Sequence, residues 1–163
     1  MQVKRGFTLV EILIVVVILG ILAAIVIPQF TQASTEAKEN SLCSNLQSLR
    51  SQIELYKCQH NDTAPALLTF EDQMVFCTDI GGNIQGAGSK VRDAVNGFIY
   101  GPYLERVPDN PFNNLNTLAD LGASGTPAVV GDDTTGWQYF EDTGEIFAND
   151  DGSTASGTPH ASL

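Results

Sequence analysis

The chain is poor in positive charge. Among 163 residues it has 8 Lys and Arg against 19 Asp and Glu, for a formal net charge of −11. After Arg106 the one remaining basic side chain is His160, and it shares that stretch with Asp109, Asp120, Asp132, Asp133, Glu141, Asp142, Glu145, Asp150 and Asp151. Such a surface repels phosphate backbones, so nucleic acid is not an expected partner. There are only two histidines, His60 and His160, and no G-x-S-x-G or H-E-x-x-H motif. Without a nucleophile flanked by a recognisable base, the expectation is a protein that is not an enzyme. Three cysteines without a C-x-x-C pair or a histidine-containing cluster give no zinc pattern and no expected metal ligand.

Cations are also missing where they matter most. Phe7 to Ile27 reads FTLVEILIVVVILGILAAIVI, a run whose one ionisable side chain is Glu11. As an α-helix these residues would extend about 32 Å, enough to cross a bilayer core of about 30 Å. Lys4 and Arg5 precede the run, while Glu36, Lys38 and Glu39 nearly cancel after it. The positive-inside rule therefore puts the N-terminus in the cytoplasm and the rest of the chain outside it. A cleaved secretory signal would place small residues after a shorter run, and Ala23-Ala24 serve that purpose poorly.

Glu11 needs a partner, because an isolated carboxylate near the centre of a membrane helix costs about 2.5–3.5 kcal/mol. No Lys, Arg or His lies between Gly6 and Gln29. The remaining cation is an α-amino group, available one helical turn away if the chain is cut before Phe7.

The stretch Lys4-Arg5-Gly6-Phe7-Thr8-Leu9-Val10-Glu11, followed by VVVILGILAAIVIPQF, resembles the signal of type IV prepilins and type II secretion pseudopilins. The resemblance implies cleavage after Gly6 by a membrane prepilin peptidase, N-methylation of Phe7, and a role in assembly for Glu11. It also implies that the soft stretch from Gly20 to Pro28 can extend or melt when subunits enter a filament. On the residues alone, Pro28 marks a bend where the helix leaves the bilayer. Gly20 and Ala24 form a small-xxx-small pair that permits close helix approach.

Past the membrane run, Leu42, Leu46, Leu49, Ile53 and Tyr56 recur at spacings of four and three, an amphipathic stripe. The helix is expected to end near His60-Asn61-Asp62. Phe70 to Phe76 reads as a short helix or strand entering the core, and Gly81 to Gly88 as a flexible loop. Gly101-Pro102-Tyr103-Leu104 through Pro108-Asp109-Asn110-Pro111-Phe112-Asn113 resembles the helix-to-sheet crossing of major pseudopilins. Here Asn110-Pro111-Phe112-Asn113 replaces that family's Asp-Pro-Trp-Gly. Trp137–Phe140 and Glu145–Ala148 read as a β-hairpin closed by Glu141-Asp142-Thr143-Gly144.

The expected organisation is a leader (1–6), a membrane and assembly helix (7–28), an amphipathic helix (29–60), a globular α+β region (61–149) and a disordered polar tail (150–163). The fold class is α+β, a long N-terminal helix packed on a small antiparallel sheet, as in pilins. Cys43 and Cys58, both helical, lie about 22 Å apart, too far to bridge. A disulfide would then join Cys58 to Cys77; three reduced thiols are the alternative.

The resemblance implies a structural filament subunit, anchored in the inner membrane with its domain periplasmic or extracellular. The Gly101–Phe112 segment favours the major pseudopilin of a type II secretion system; a type IV pilin for adhesion, motility or DNA uptake is the alternative. Expected partners are copies of itself, related minor subunits, the prepilin peptidase and an inner-membrane assembly platform. Major pseudopilins hold calcium in a loop near the C-terminal strands. Asp132, Asp133, Glu141, Asp142, Glu145, Asp150 and Asp151 could supply oxygens here, although their spacing fits no defined loop and a solvated acidic rim explains them equally.

Overall fold

Spacings of four and three put Leu42, Leu46, Leu49, Ile53 and Tyr56 on one face of a helix, and all five are at most 2% exposed. They belong to α1 (Leu9–Gln59) in the computed structural model, which describes residues 7–121 and 131–163. The chain divides into two compact units, Met1–Ala37 and Lys38–Leu163.

In the first unit every described residue is exposed, including the apolar ones from Phe7 to Phe30. One helix is long and apolar enough here to cross a membrane.

In the second unit the stripe of α1 meets Phe70 and Met74 of a short helix, α2 (Phe70–Val75), which a 3₁₀ turn at Leu67–Thr69 introduces. Trp137, Tyr139, Ile146 and Ala148 complete the core from the sheet, with Tyr103 and Val107 from the crossing segment. Burying a leucine or isoleucine side chain contributes about 1.5–3 kcal/mol, so this stripe is a main source of the unit's stability.

Among the described residues the sheet has three strands in the order β1 (Leu118–Asp120), β2 (Trp137–Phe140), β3 (Glu145–Ala148). β2 and β3 form the expected hairpin, with Trp137 opposite Ala148 and Phe140 opposite Glu145. Gly144 closes the turn at φ +78°, and a Cβ there would stand 2.9 Å from Cγ2 of Ile53. The sheet is mixed, not purely antiparallel as the pattern suggested: β1 runs parallel to β2, Leu118 opposite Trp137. Three residues without β-branched or aromatic side chains gave no strand signal, and main-chain pairing with β2 decides the matter.

The crossing segment is fixed by main-chain bonds. Tyr103 and Leu104 both donate N–H groups to the Met74 carbonyl, each at 2.9 Å, and the Gly101–Pro102 peptide is cis. The Trp137 indole donates to the Pro108 carbonyl at 2.9 Å. The glycine loop is also ordered: Asp79 Oδ1 accepts the N–H groups of Gly81 and Asn83, and Thr78 bridges to Ile84.

The expectation of a disordered tail at 150–163 is wrong. Asp150, His160 and Ala161 are buried, Ser153 pairs with Pro159, and a 3₁₀ turn at His160–Ser162 packs on β3. Ala155 donates its N–H to Glu39 Oε1 at 3.0 Å. Composition misled because the segment is small and polar. Two buried side chains order it instead of an apolar run.

Candidate functional site

Thr8 precedes the first turn of α1, and Glu11 lies three residues further on. The Thr8 N–H and hydroxyl donate to Glu11 Oε2 at 2.8 and 2.7 Å, and the Glu11 N–H donates back to Thr8 Oγ1 at 3.2 Å. This reciprocal pair is a capping box: it satisfies orphan donors at the helix start and holds the carboxylate in place. Reading Glu11 as lacking any partner but an amine therefore missed one. The signal was present, since Thr8-Leu9-Val10-Glu11 is a threonine, two residues and an acid before an apolar run. Thr8 supplies hydrogen bonds and no charge, and among the described residues no cation pairs with the carboxylate.

Phe7 is 84% exposed beside this box. Gly6, on the other side of the expected cleavage point, lies outside the described residues. Further along the helix, a Cβ on Gly20 would meet no atom within 4 Å, so its lack of a side chain leaves a notch in the apolar surface. Pro28 lies inside α1, which continues through it, although its ring nitrogen cannot donate to the carbonyl four residues back. Just beyond, the Thr31 hydroxyl donates to the Ile27 carbonyl at 3.1 Å.

The pattern of a capped carboxylate, an aromatic residue before it and a bare apolar helix after it agrees with the comparisons. The profile described as Prokaryotic N-terminal methylation motif matches residues 1–27. The type II secretion system core protein G of Aeromonas hydrophila is 30% identical over 127 residues, 77% of this chain and 80% of that protein. This chain belongs to the core protein G family. The Vibrio cholerae member is 29% identical over 153 residues, 91% of this chain and 93% of that one. The Pseudomonas aeruginosa member reaches 44%, over 54 residues. No solved structure matches. The family is that of major pseudopilins, and among its described residues this chain has an apolar N-terminal helix and an α+β unit with a three-stranded sheet.

The remaining candidate residues serve the domain. His60 is buried at the end of α1 and stacks on Tyr56 with ring centroids 3.8 Å apart. Its Nδ1 bonds the Tyr56 carbonyl at 2.8 Å and its Nε2 the Thr78 hydroxyl at 3.0 Å. Both histidines are thus buried, although each stands in a stretch of polar sequence.

Cys58 and Cys77 are not bridged. All three cysteines are free, Cys58 exposed on α1 and Cys77 fully buried. Cys58 follows Tyr56 by two positions, about 200° around the helix, which turns it away from the core that holds Cys77. Among the described residues no three His, Cys, Asp or Glu side chains come together to hold a metal. Several carboxylates of the acidic region have other work: Glu141 accepts the Leu67 N–H at 3.1 Å, and Asp132 accepts from Thr134 and Asn149.

Proposed function

We propose that this chain is the major subunit of a type II secretion pseudopilus, a filament that drives folded proteins through an outer-membrane pore. The observation that carries this reading is the Gly6-Phe7-Thr8-x-x-Glu11 start on a chain that is similar to core protein G over most of its length. The prepilin peptidase cuts between Gly6 and Phe7 and methylates the Phe7 amine. Lys4 and Arg5 keep that end cytoplasmic, and the unit from Lys38 onward lies in the periplasm.

In the filament the Glu11 carboxylate approaches the Phe7 amine of a neighbouring copy, where little water screens the pair. The Thr8 box holds the carboxylate until then. Gly20 lets helices approach closely, and Pro28, by removing one main-chain bond, makes the stretch between them the easiest to extend. Related minor subunits and an inner-membrane platform are the further partners.

Neither histidine is placed to act as a general base. Nε2 of His160, the nitrogen that would take a proton from a nucleophile, is enclosed without a hydrogen-bond partner, and His60 is committed at both ring nitrogens.

Two measurements test the proposal. Intact mass of the membrane-extracted chain is expected to begin at N-methyl-Phe7, and a retained Met1 in cells with the peptidase would refute processing. Deletion of the gene is expected to leave secreted proteins in the periplasm with surface filaments and twitching intact. The opposite outcome would make the chain a type IV pilin.

A further inference from the structure

The calcium expected of a major pseudopilin must find oxygens with free lone pairs near the C-terminal strands. Residues 122–130, GASGTPAVV, contain no carboxylate, so charged ligands would have to come from the flanking residues. In those flanks one oxygen each of Asp132 and Asp133, and both of Asp150, already face N–H groups.

Asn113 Nδ2 donates to the carbonyls of Thr135 at 2.8 Å and Asn149 at 3.1 Å, and reaches Asp133 Oδ1 at 3.5 Å. Asn149 Nδ2 donates to Asp132 Oδ1 at 2.7 Å and Thr135 Oγ1 at 2.8 Å. Asn110 Nδ2 donates to the Gly136 carbonyl at 3.1 Å and Asp150 Oδ2 at 2.8 Å. The other oxygen of Asp150 faces His160 Nδ1 at 2.5 Å, with both side chains fully enclosed.

None of the three amides can turn its oxygen inward, because each oxygen accepts a main-chain N–H. Asn110 Oδ1 takes that of Phe112 (2.9 Å), Asn113 Oδ1 that of Leu115 (3.1 Å), and Asn149 Oδ1 that of Asp132 (3.2 Å). The nitrogens are therefore fixed toward the loop oxygens, and an N–H donor repels a cation where a ligand oxygen would bind it.

Asn110 and Asn113 are also the positions where the sequence replaces the Asp and Gly of the Asp-Pro-Trp-Gly pattern. Gly152 belongs to the same arrangement: a Cβ there would lie 2.6 Å from His160 Nδ1. The residues present do not fit calcium.

We propose that this chain closes its C-terminal loops with a metal-free polar knot. Asn110, Asn113, Asn149 and the buried Asp150–His160 pair do the work that calcium does in other major pseudopilins. The knot ties four separate stretches together: 110–115, 131–136, 149–152 and the segment ending in His160. It rests on the family assignment for the comparison with calcium, and not on the filament reading.

The test is thermal unfolding of the full-length processed chain in detergent, in a few millimolar calcium and again in chelator. The two midpoints are expected to coincide. Asn110→Asp, which trades the donor for a carboxylate against Asp150, and His160→Gln are both expected to lower the midpoint in chelator by several degrees. A saturable rise of the wild-type midpoint with calcium would overturn the proposal. So would variants that melt together with wild type in chelator. If neither variant accumulates, the wild-type calcium titration decides alone.

Discussion

The two units of this chain treat apolar residues in opposite ways. From Leu9 to Ile27 nearly every side chain is apolar and all are exposed, whereas from Lys38 onward the large apolar side chains of the stripe and β2 are enclosed. One helix, α1, runs through both, so helical propensity cannot be the difference. The difference is periodicity. A helix apolar all round has no polar face to offer water and suits lipid or neighbouring helices. A helix apolar on one stripe needs a single cover, which the sheet provides.

Polar groups invert in the same way. The apolar run of the first unit has one carboxylate, Glu11, whose hydrogen bonds among the described residues come from Thr8. The second buries His60, Asn110, Asn149 and Asp150, each with a partner at least 11 positions away, and His160, which meets Asp150 through one ring nitrogen. A buried polar group without a partner would cost about 1–3 kcal/mol, so these contacts specify which loops meet.

The comparison predicts where a substitution is felt. Glu11→Ala should have the largest effect, reducing filaments seen by electron microscopy to few or none while membrane levels and the melting of the second unit stay unchanged. Wild-type filament numbers would refute an assembly role for the carboxylate.

Asp150→Ala should be next. It strands His160 and the Asn110 amide in a closed site, at a cost of about 3–5 kcal/mol. Denaturant unfolding of the processed chain in detergent reads this directly, and a loss under about 1 kcal/mol would place the pair outside the fold's stabilising contacts.

Leu46→Ala should cost about 2–5 kcal/mol by leaving a cavity in the stripe. Leu13→Ala, on the same helix, should leave that unfolding curve where it was. Equal effects from the two would show that the first unit also depends on the domain's core.

Cys58→Ser should change least. The thiol is exposed and free, so the melting midpoint should match wild type with or without reductant. A fall seen only without reductant would mean that a disulfide forms after all.

How much of this was legible follows from how local each signal is. The membrane run, the stripe from Leu42 to Tyr56 and the hairpin at 137–148 each declare themselves within 21 residues or fewer, and the structure keeps all three. The capping box was equally local and was overlooked because attention went to the charge of Glu11 and not to its hydrogen bonds. β1 was not legible, since three residues hold no period and its partner is 19 positions away. The Asp150–His160 pair lay in a segment whose composition looked like a tail.

The sequence by itself determined the parts whose physics is one-dimensional: a bilayer-length apolar run, a helical stripe, a turn with glycine at its end, an N-terminal methylation motif that holds the one carboxylate of the apolar run. Tertiary structure alone decided the rest. Whether an asparagine points its nitrogen or its oxygen at a loop depends on which main-chain N–H lies behind it. Whether a histidine is a chain end or a core residue depends on which carboxylate it meets, 10 residues earlier in the case of His160. Those pairings join residues far apart in the chain, and a pattern read along a sequence does not contain them.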